Sequence, residues 1–265
     1  MRHVVMFSGG IGSWMAAKRV VENHPGDEVV LLFCDVKGTN PDPHVGEDQD
    51  TYRFIRDAAA NVGAELVTVS DGRDIWQVFK DKRFLGNSRL ANCSVELKAK
   101  PARAWLEANT TPEDSLVWLG IDWTETHRLP AIERNYLPWT AGAPLCDPPY
   151  LDKHQMIELA EAQGLRPPRA YAAGFPHNNC GGGCVRAGKS QFSLLLRVNP
   201  ERYAVWEGKE QEVRDHLAAD VSILRDTAGG NTRPLTLKSL RERIESQPAL
   251  FDDDDWGGCG CFSEE

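Results

Sequence analysis

The sequence predicts an α/β protein built on a doubly wound parallel sheet, with a helical, metal-binding extension at its carboxyl end. Three observations carry that prediction. Short apolar runs alternate with helical stretches through the first half of the 265-residue chain, an order that builds a parallel sheet with helices on its faces. One of those runs, Glu28–Cys34 (EVVLLFC), is almost continuously apolar, as a strand buried on both faces must be. After about Pro144 the texture changes, and Pro148-Pro149, Pro167-Pro168 and Gly181-Gly182-Gly183 punctuate short helices. The expected division is a sheet domain over residues 1–145 and an extension over residues 146–265 that folds back on it.

Taken in order, His3–Phe7 reads as the first strand and ends in Ser8-Gly9-Gly10, and a helix follows from Gly12-Ser13 to about Val21. Glu28–Cys34 is the second strand, Asp50–Val62 a helix, Glu65–Val69 the third strand and Leu116–Ile121 the fourth. Ligands on such sheets sit at the carboxyl ends of the strands. Ser8, Asp35 and Gly120 all fall at those ends, so three loops should converge on one crevice. In the extension the helices expected are Lys153–Gln163, Gln191–Leu196, Glu201–Ala218 and Leu237–Ser246, with a loop at Thr227–Thr232. Asp252–Asp255 alone would be a solvated acidic tail, but it leads directly into Gly257-Gly258-Cys259-Gly260-Cys261-Phe262.

Bulk properties narrow the function. A hydrophobic content of 41% supports a real core, and a formal charge of −9 argues against a surface that binds polyanions everywhere, while leaving room for a local basic channel. No stretch approaches the roughly 18 apolar residues of a membrane span, and the first strand begins too early to leave room for a signal peptide. A cytoplasmic protein without membrane partners is expected. Seven cysteines, an odd number, make a poor disulfide framework. Metal ligands, free thiols or a reactive nucleophile suit them better.

The segment VVMFSGGIGSW sets Ser-Gly-Gly-x-x-Ser between a buried strand and a helix. Glycines let the backbone approach an anion closely, and a helix N-terminus presents unpaired N–H groups to it. Ser8, Gly9, Gly10, Gly12 and Ser13 are therefore the candidate phosphate cradle, the two hydroxyls adding neutral donors. The lysine of a Walker loop is missing, and the third glycine of a dinucleotide fingerprint would fall on Ser13, so neither of those classes fits.

A second constellation lies in the extension. His177-Asn178-Asn179-Cys180-Gly181-Gly182-Gly183-Cys184 holds two thiols across three glycines, and Cys259-Gly260-Cys261 holds two more. Glycines permit the tight wrap that brings both sulfurs to one centre and leave N–H groups free to donate to sulfide. Four cysteines in two glycine-rich pairs suit a tetrathiolate [4Fe–4S] cluster or a zinc ion, although C-x₃-C with C-x-C is not a zinc-finger spacing.

SGGIGS resembles the signature of the PP-loop ATP pyrophosphatases, or adenine nucleotide α-hydrolases, which include tRNA thiolases, GMP and NAD synthetases and sulfonucleotide (PAPS) reductases. FCDVKGT…EDQDTYRFI, NCSVELKAKP and LGIDWTETHR are similar, in that order, to segments of the PAPS-reductase-like branch. The resemblance implies ATP or PAPS as ligand, with Mg²⁺. Lys98 and Arg128 would neutralise phosphate or sulfate, Glu125 would orient Arg128, and Gly120 would line the crevice. Asp35 would serve the ribose or Mg²⁺, or simply close a turn. Cys93, in the same element as Lys98 and Pro101, would be an activated thiol, a further cluster ligand or a buried structural thiol.

NNCGGGCVRAG, PERYAVWEGKE and the terminal CGCF resemble PAPS-reductase-like proteins of phages and mobile elements, one of which accompanies a CRISPR system. Arg186 and Lys189 would then set positive charge beside the metal. The chain departs from the true reductases in lacking their ECGxH cysteine and the CC…CxxC cluster set. The function implied is ATP-pyrophosphatase-type adenylylation coupled to sulfur transfer through a thiolate-held cluster, on an acceptor that includes nucleic acid among its candidates. Two alternatives stand beside it: a sulfonucleotide reductase, and a nucleotide-binding subunit of a nucleoprotein complex with a structural metal.

Overall fold

Arg2–Met6 forms the first strand, β1, with Val4 and Met6 facing one side and Val5 and Phe7 the other, all four buried. The computed structural model describes residues 1–227, 231–246 and 255–257 of the chain. Helix α1 (Ile11–Asn23) leads to β2 (Glu28–Cys34), α2 (Gln49–Val62), β3 (Glu65–Val69) and α3 (Ile75–Asp81). A single turn, α4 (Asn92–Ser94), passes through a wide π-turn at Val95–Ala99 into α5 (Lys100–Asn109). Then come β4 (Ser115–Leu119), a 3₁₀ turn at Trp123–Arg128, α6 (Leu129–Tyr136) and the short β5 (Thr140–Gly142).

These five strands make one parallel sheet in the order β3-β2-β1-β4-β5. The expected strands and the doubly wound class are present. β5, α3 and the α4–α5 run are additions that short, mixed sequences did not signal.

The extension contributes α7 (Lys153–Ala162), α8 (Arg169–Ala172), α9 (Lys189–Val198) and α10 (Pro200–Leu217). After them a hairpin of β6 (Leu224–Asp226) and β7 (Arg233–Leu235) precedes α11 (Leu237–Ser246). The loop expected at Thr227–Thr232 joins these two strands, and residues 228–230 of it lie outside the described residues. So do Cys259 and Cys261.

Three apolar cores result. One face of the sheet packs Val5, Phe7, Leu31 and Phe33 against α1 and α2, and the other packs Val4, Met6, Leu32 and Leu119 against α5 and α6. The first of these also takes in Leu145, Met156, Ala160 and Leu165 of the extension. The third core joins Val36, Val45, Trp76 and Phe79 to Phe192, Trp206 and Leu240. The extension thus shares its apolar interior with the sheet on both sides of residue 145. Each fully buried aromatic or aliphatic side chain there contributes about 1.5–3 kcal/mol of transfer free energy.

Candidate functional site

β1 lies between β2 and β4, so the chain leaves the sheet in opposite directions on either side of it. That reversal opens a crevice at the carboxyl ends of β1 and β4, where open α/β sheets take ligands. An open cavity occupies this position, walled by Ser8, Gly10, Gly12, Ser13, Gly120 and Arg128. Its far wall comes from the extension: Lys153, Tyr171, His177, Asn178 and Asn179.

The loop is shaped by what presses on it. Gly9 has φ +78°, a left-handed conformation, and a Cβ there would lie 2.8 Å from Thr51 Cγ2. Gly12 and Gly120 mark a close approach of two backbones, since a Cβ on Gly120 would lie 2.9 Å from Ser13 N and Cα. Gly10 begins α1 without a side-chain cap. The Ile11 N–H donates to the Tyr171 hydroxyl at 3.0 Å, and Ser13 Oγ turns back to the Gly10 carbonyl at 2.8 Å. The helix start therefore faces the cavity with only small groups between.

Asn178 fixes the loop from the other side. Its Nδ2 donates to the Gly9 carbonyl at 2.8 Å, and its Oδ1 accepts from Thr51 Oγ1 at 3.1 Å. The Asn-Asn pair that precedes Cys180 is thus part of the wall of the crevice. The sequence motif carries these asparagines directly before Cys180 but gives no sign that they reach the Ser8–Ser13 loop.

The cavity is lined by charges of both signs, Arg128 and Lys153 with Asp122 and Glu125. Arg128 is 9% exposed and its guanidinium donates to Glu125, the orienting role expected of that carboxylate. Lys153 donates to the Pro176 carbonyl and lines the same cavity. Burial pushes the His177 imidazole down to about 4, with Lys153 and Arg128 adding to the effect. His177 is therefore neutral near pH 7.

Asp35, Lys98 and Cys93 lie outside this wall. Asp35 accepts the Tyr52 hydroxyl at 2.7 Å and the Lys37 N–H at 3.0 Å. Lys98 is buried with its ammonium 3.6 Å from Glu47, whose carboxylate is fully enclosed. The second Glu47 oxygen accepts the Cys180 N–H. Lys98 thus faces the cysteine loop rather than the Ser8–Ser13 loop. Cys93 is half-buried against the third core.

The glycines of the cysteine loop are packed rather than open. A Cβ on Gly181 would land on the Arg202 guanidinium, one on Gly182 would lie 2.7 Å from Phe175, and one on Gly183 would lie 2.7 Å from Trp206. Arg202 is itself buried and donates to the carbonyls of Gly46 at 3.0 Å, Pro43 at 3.1 Å and Glu47 at 3.4 Å. So Arg202 and Trp206, from the PERYAVWE run, mould the CGGGC loop. The Cys180 and Cys184 thiols are hydrogen-bonded to each other, and that contact, burial and the Glu47 charge together push the Cys180 thiol upward.

Residues 255–257 return to this loop. Gly188 N–H donates to the Trp256 carbonyl at 3.0 Å, Ser190 N–H donates to the Asp255 carbonyl at 2.9 Å, and Gly257 bridges Ala187. Asp255 thereby serves the start of α9, where Gly188 offers no side-chain cap. Gly257 stands two residues before Cys259, and its partner Ala187 three residues after Cys184.

A serine–glycine loop without a lysine, set between the central strand and first helix of a 3-2-1-4-5 parallel sheet, decides the likeness. The chain resembles the PP-loop adenine-nucleotide enzymes. Several solved structures are similar to the chain. A PAPS reductase from Candida auris, in a phosphate complex, is similar with 15% identity and a TM-score of 0.41 over 66% of this chain and 78% of that one. An NMN synthetase from Francisella tularensis has 16% identity and a TM-score of 0.45 over 82% and 83%. A U34-tRNA thiolase from Methanococcus maripaludis, solved with its [4Fe-4S] cluster, has 13% identity and a TM-score of 0.45 over 92% and 81%. No family model and no curated protein matches the chain. Among the described residues no helix is long and apolar enough to cross a membrane.

Proposed function

We propose that the chain binds ATP with its phosphates over the Ser8–Ser13 loop and catalyses adenylyl transfer to an acceptor, coupled to sulfur transfer. The observation that carries this reading is the convergence of that loop with Arg128 and Lys153 in one cavity that is also lined by His177, Asn178 and Asn179, the residues leading into Cys180. An acceptor oxygen attacks the α-phosphorus, the bond to the β-phosphate oxygen breaks, and pyrophosphate leaves. The loop N–H groups and the two cations stabilise charge on the departing pyrophosphate, where fixed donors act most strongly. A nucleophile then displaces AMP from the activated acceptor.

Asp122 is the carboxylate on the cavity wall best placed to meet a Mg²⁺ carried by the phosphates, since Glu125 is committed to Arg128. Cys180, Cys184, Cys259 and Cys261 would hold the metal centre. The adjacent thiols of the first pair fit a shared ion or cluster, and the Ala187–Gly257 bridge pairs the segment just after Cys184 with the one just before Cys259 in sequence. A [4Fe–4S] cluster held by three of these thiolates would leave one iron open to bind sulfur for transfer, whereas a cluster held by all four, or a zinc ion, would make the centre structural. The reductase alternative needs a cysteine in the cavity, and among the described residues none lines it.

The test is product analysis. Anaerobically purified protein given α-labelled ATP and candidate acceptors should yield AMP and pyrophosphate in equal amounts. Sulfite from PAPS in the presence of a dithiol reductant, with no pyrophosphate from ATP, would replace this reading with the reductase.

A further inference from the structure

A second open pocket lies where the end of α10, the β6–β7 hairpin and the loop after α3 meet. It shares no lining residue with the crevice at the Ser8–Ser13 loop. Its base is tied together through the backbone. β6 and β7 pair from Leu224 opposite Leu235 to Asp226 opposite Arg233, and the Ser222 hydroxyl accepts the Leu235 N–H at 3.0 Å. The buried Glu210 carboxylate of α10 accepts the Ile223 N–H at 2.9 Å and the Leu237 N–H at 2.6 Å, which holds the hairpin to the helix.

The pocket presents donors without acceptors. Arg83, Arg225 and Arg233 line it, and among the described residues none of their guanidinium groups has a hydrogen-bonded or ion-paired partner. Arginines of the adjoining elements are paired: Arg214 with Asp220, Arg241 with Glu207 and Arg243 with Asp226. Asp220 is the one carboxylate among the described lining residues, and Arg214 already neutralises it. Asn87 adds a further donor. It is 7% exposed, and its Oδ1 accepts the Arg89 N–H at 2.9 Å and the Leu90 N–H at 3.3 Å, which settles which end of the amide is oxygen. Its Nδ2 has no acceptor among the described residues, so two N–H groups of a nearly buried side chain are left for an occupant of the pocket.

We propose that this pocket binds the phosphate group of a small organic phosphate, with Arg83 and Arg225 pairing its oxygens and Asn87 donating to it. Guanidinium forks match phosphate oxygens two at a time, and a dianion answers more than one of them. A singly charged anion would leave most of the positive charge uncompensated. Phe84, Leu217 and Pro234 line the same pocket and offer an apolar seat for the body that carries the phosphate. A nucleic-acid strand is the poorer occupant, because its affinity comes from a succession of phosphate contacts. Here the donors are gathered at one pocket, on a chain of formal charge −9. The site does not depend on what the Ser8–Ser13 crevice binds.

The experiment titrates the full chain with dianionic phenyl phosphate and, separately, with its singly charged isostere phenyl sulfate. The Asn87 side-chain amide resonances, assigned by their loss in Asn87→Ser, report binding. Phenyl phosphate should saturate their shift at a concentration at least roughly tenfold below that of phenyl sulfate. Arg83→Gln and Arg225→Gln should each weaken phenyl phosphate by about tenfold, and both should fold, since neither guanidinium holds another part of the chain. Gly10→Val, which acts on the other crevice, should leave the titration unchanged. An unmoved Asn87 amide, equal binding of the two probes, or undiminished binding in both arginine variants would overturn the proposal. So would loss of the shift in Gly10→Val, which would trace it to the Ser8–Ser13 loop. Tighter binding of a short thymidine oligonucleotide than of phenyl phosphate would give the pocket to a nucleic-acid strand instead.

Discussion

Asn178 is the residue through which the two motifs of the chain touch. It satisfies the Gly9 carbonyl and the Thr51 hydroxyl in a site closed to water. Asn178→Ala leaves both without their partner and should cost about 2–3 kcal/mol of stability, with a parallel drop in nucleotide affinity of about tenfold or more. Urea unfolding and ATP titration measure the two together. His177, one position earlier, gives a pH signature. Its folded value of about 4 lies below the ordinary 6.5, so between those values the unfolded chain binds the extra proton. Stability is therefore fully present above pH 6.5 and declines as the pH falls toward 4, by about 3 kcal/mol at most. His177→Gln should flatten that part of the stability curve; an unchanged slope would mean that another group titrates there.

At the scale of the element, the loop and its strand were legible because their chemistry is local. Ser-Gly-Gly-x-x-Ser needs only a strand before it and a helix after it, and Glu28–Cys34 and Glu65–Val69 are strands with those same bounds. Lys98 was legible as a charge but not as a buried one. Its pairing with Glu47 depends on the π-turn at Val95–Ala99, which turns it toward the cysteine loop, and no local pattern announces that turn. Arg202 and the three loop glycines were likewise read apart, although each glycine is small because a particular side chain of the extension occupies its space. Asp255 was read as the end of an acidic run leading into a tail that folds back; that it closes the start of α9 was not legible from the run itself. Ending the chain after Asp255 removes the Trp256 carbonyl and the second cysteine pair. Metal content measured by emission spectrometry should fall to a small fraction of the full-length value, and full occupancy would show that the centre is completed from elsewhere.

At the scale of the molecule, the sequence divides near residue 145 but the apolar cores do not. Met156, Ala160 and Leu165 complete the core beneath α1, and α9 to α11 complete the one around Trp76 and Phe79. A chain ending at residue 145 would expose both and should fail to show cooperative unfolding by circular dichroism, while the full chain unfolds in one transition. Separate transitions in the full chain would argue for independent domains. The shared cores have a functional consequence, because they hold Lys153, Tyr171 and Asn178 across the crevice from the Ser8–Ser13 loop.

The most direct test of this arrangement is calorimetric titration of ATP into the wild-type chain and into Gly10→Val, whose added side chain would intrude between the start of α1 and the Tyr171 hydroxyl, 3.2 Å from the position of a Cβ. ATP should bind the wild type and lose at least about a hundredfold in affinity in the folded variant, with Arg128→Ala weakening ATP more than adenosine. Equal ATP affinity in wild type and a folded Gly10→Val would contradict the account, because the phosphates could not then lie on that loop.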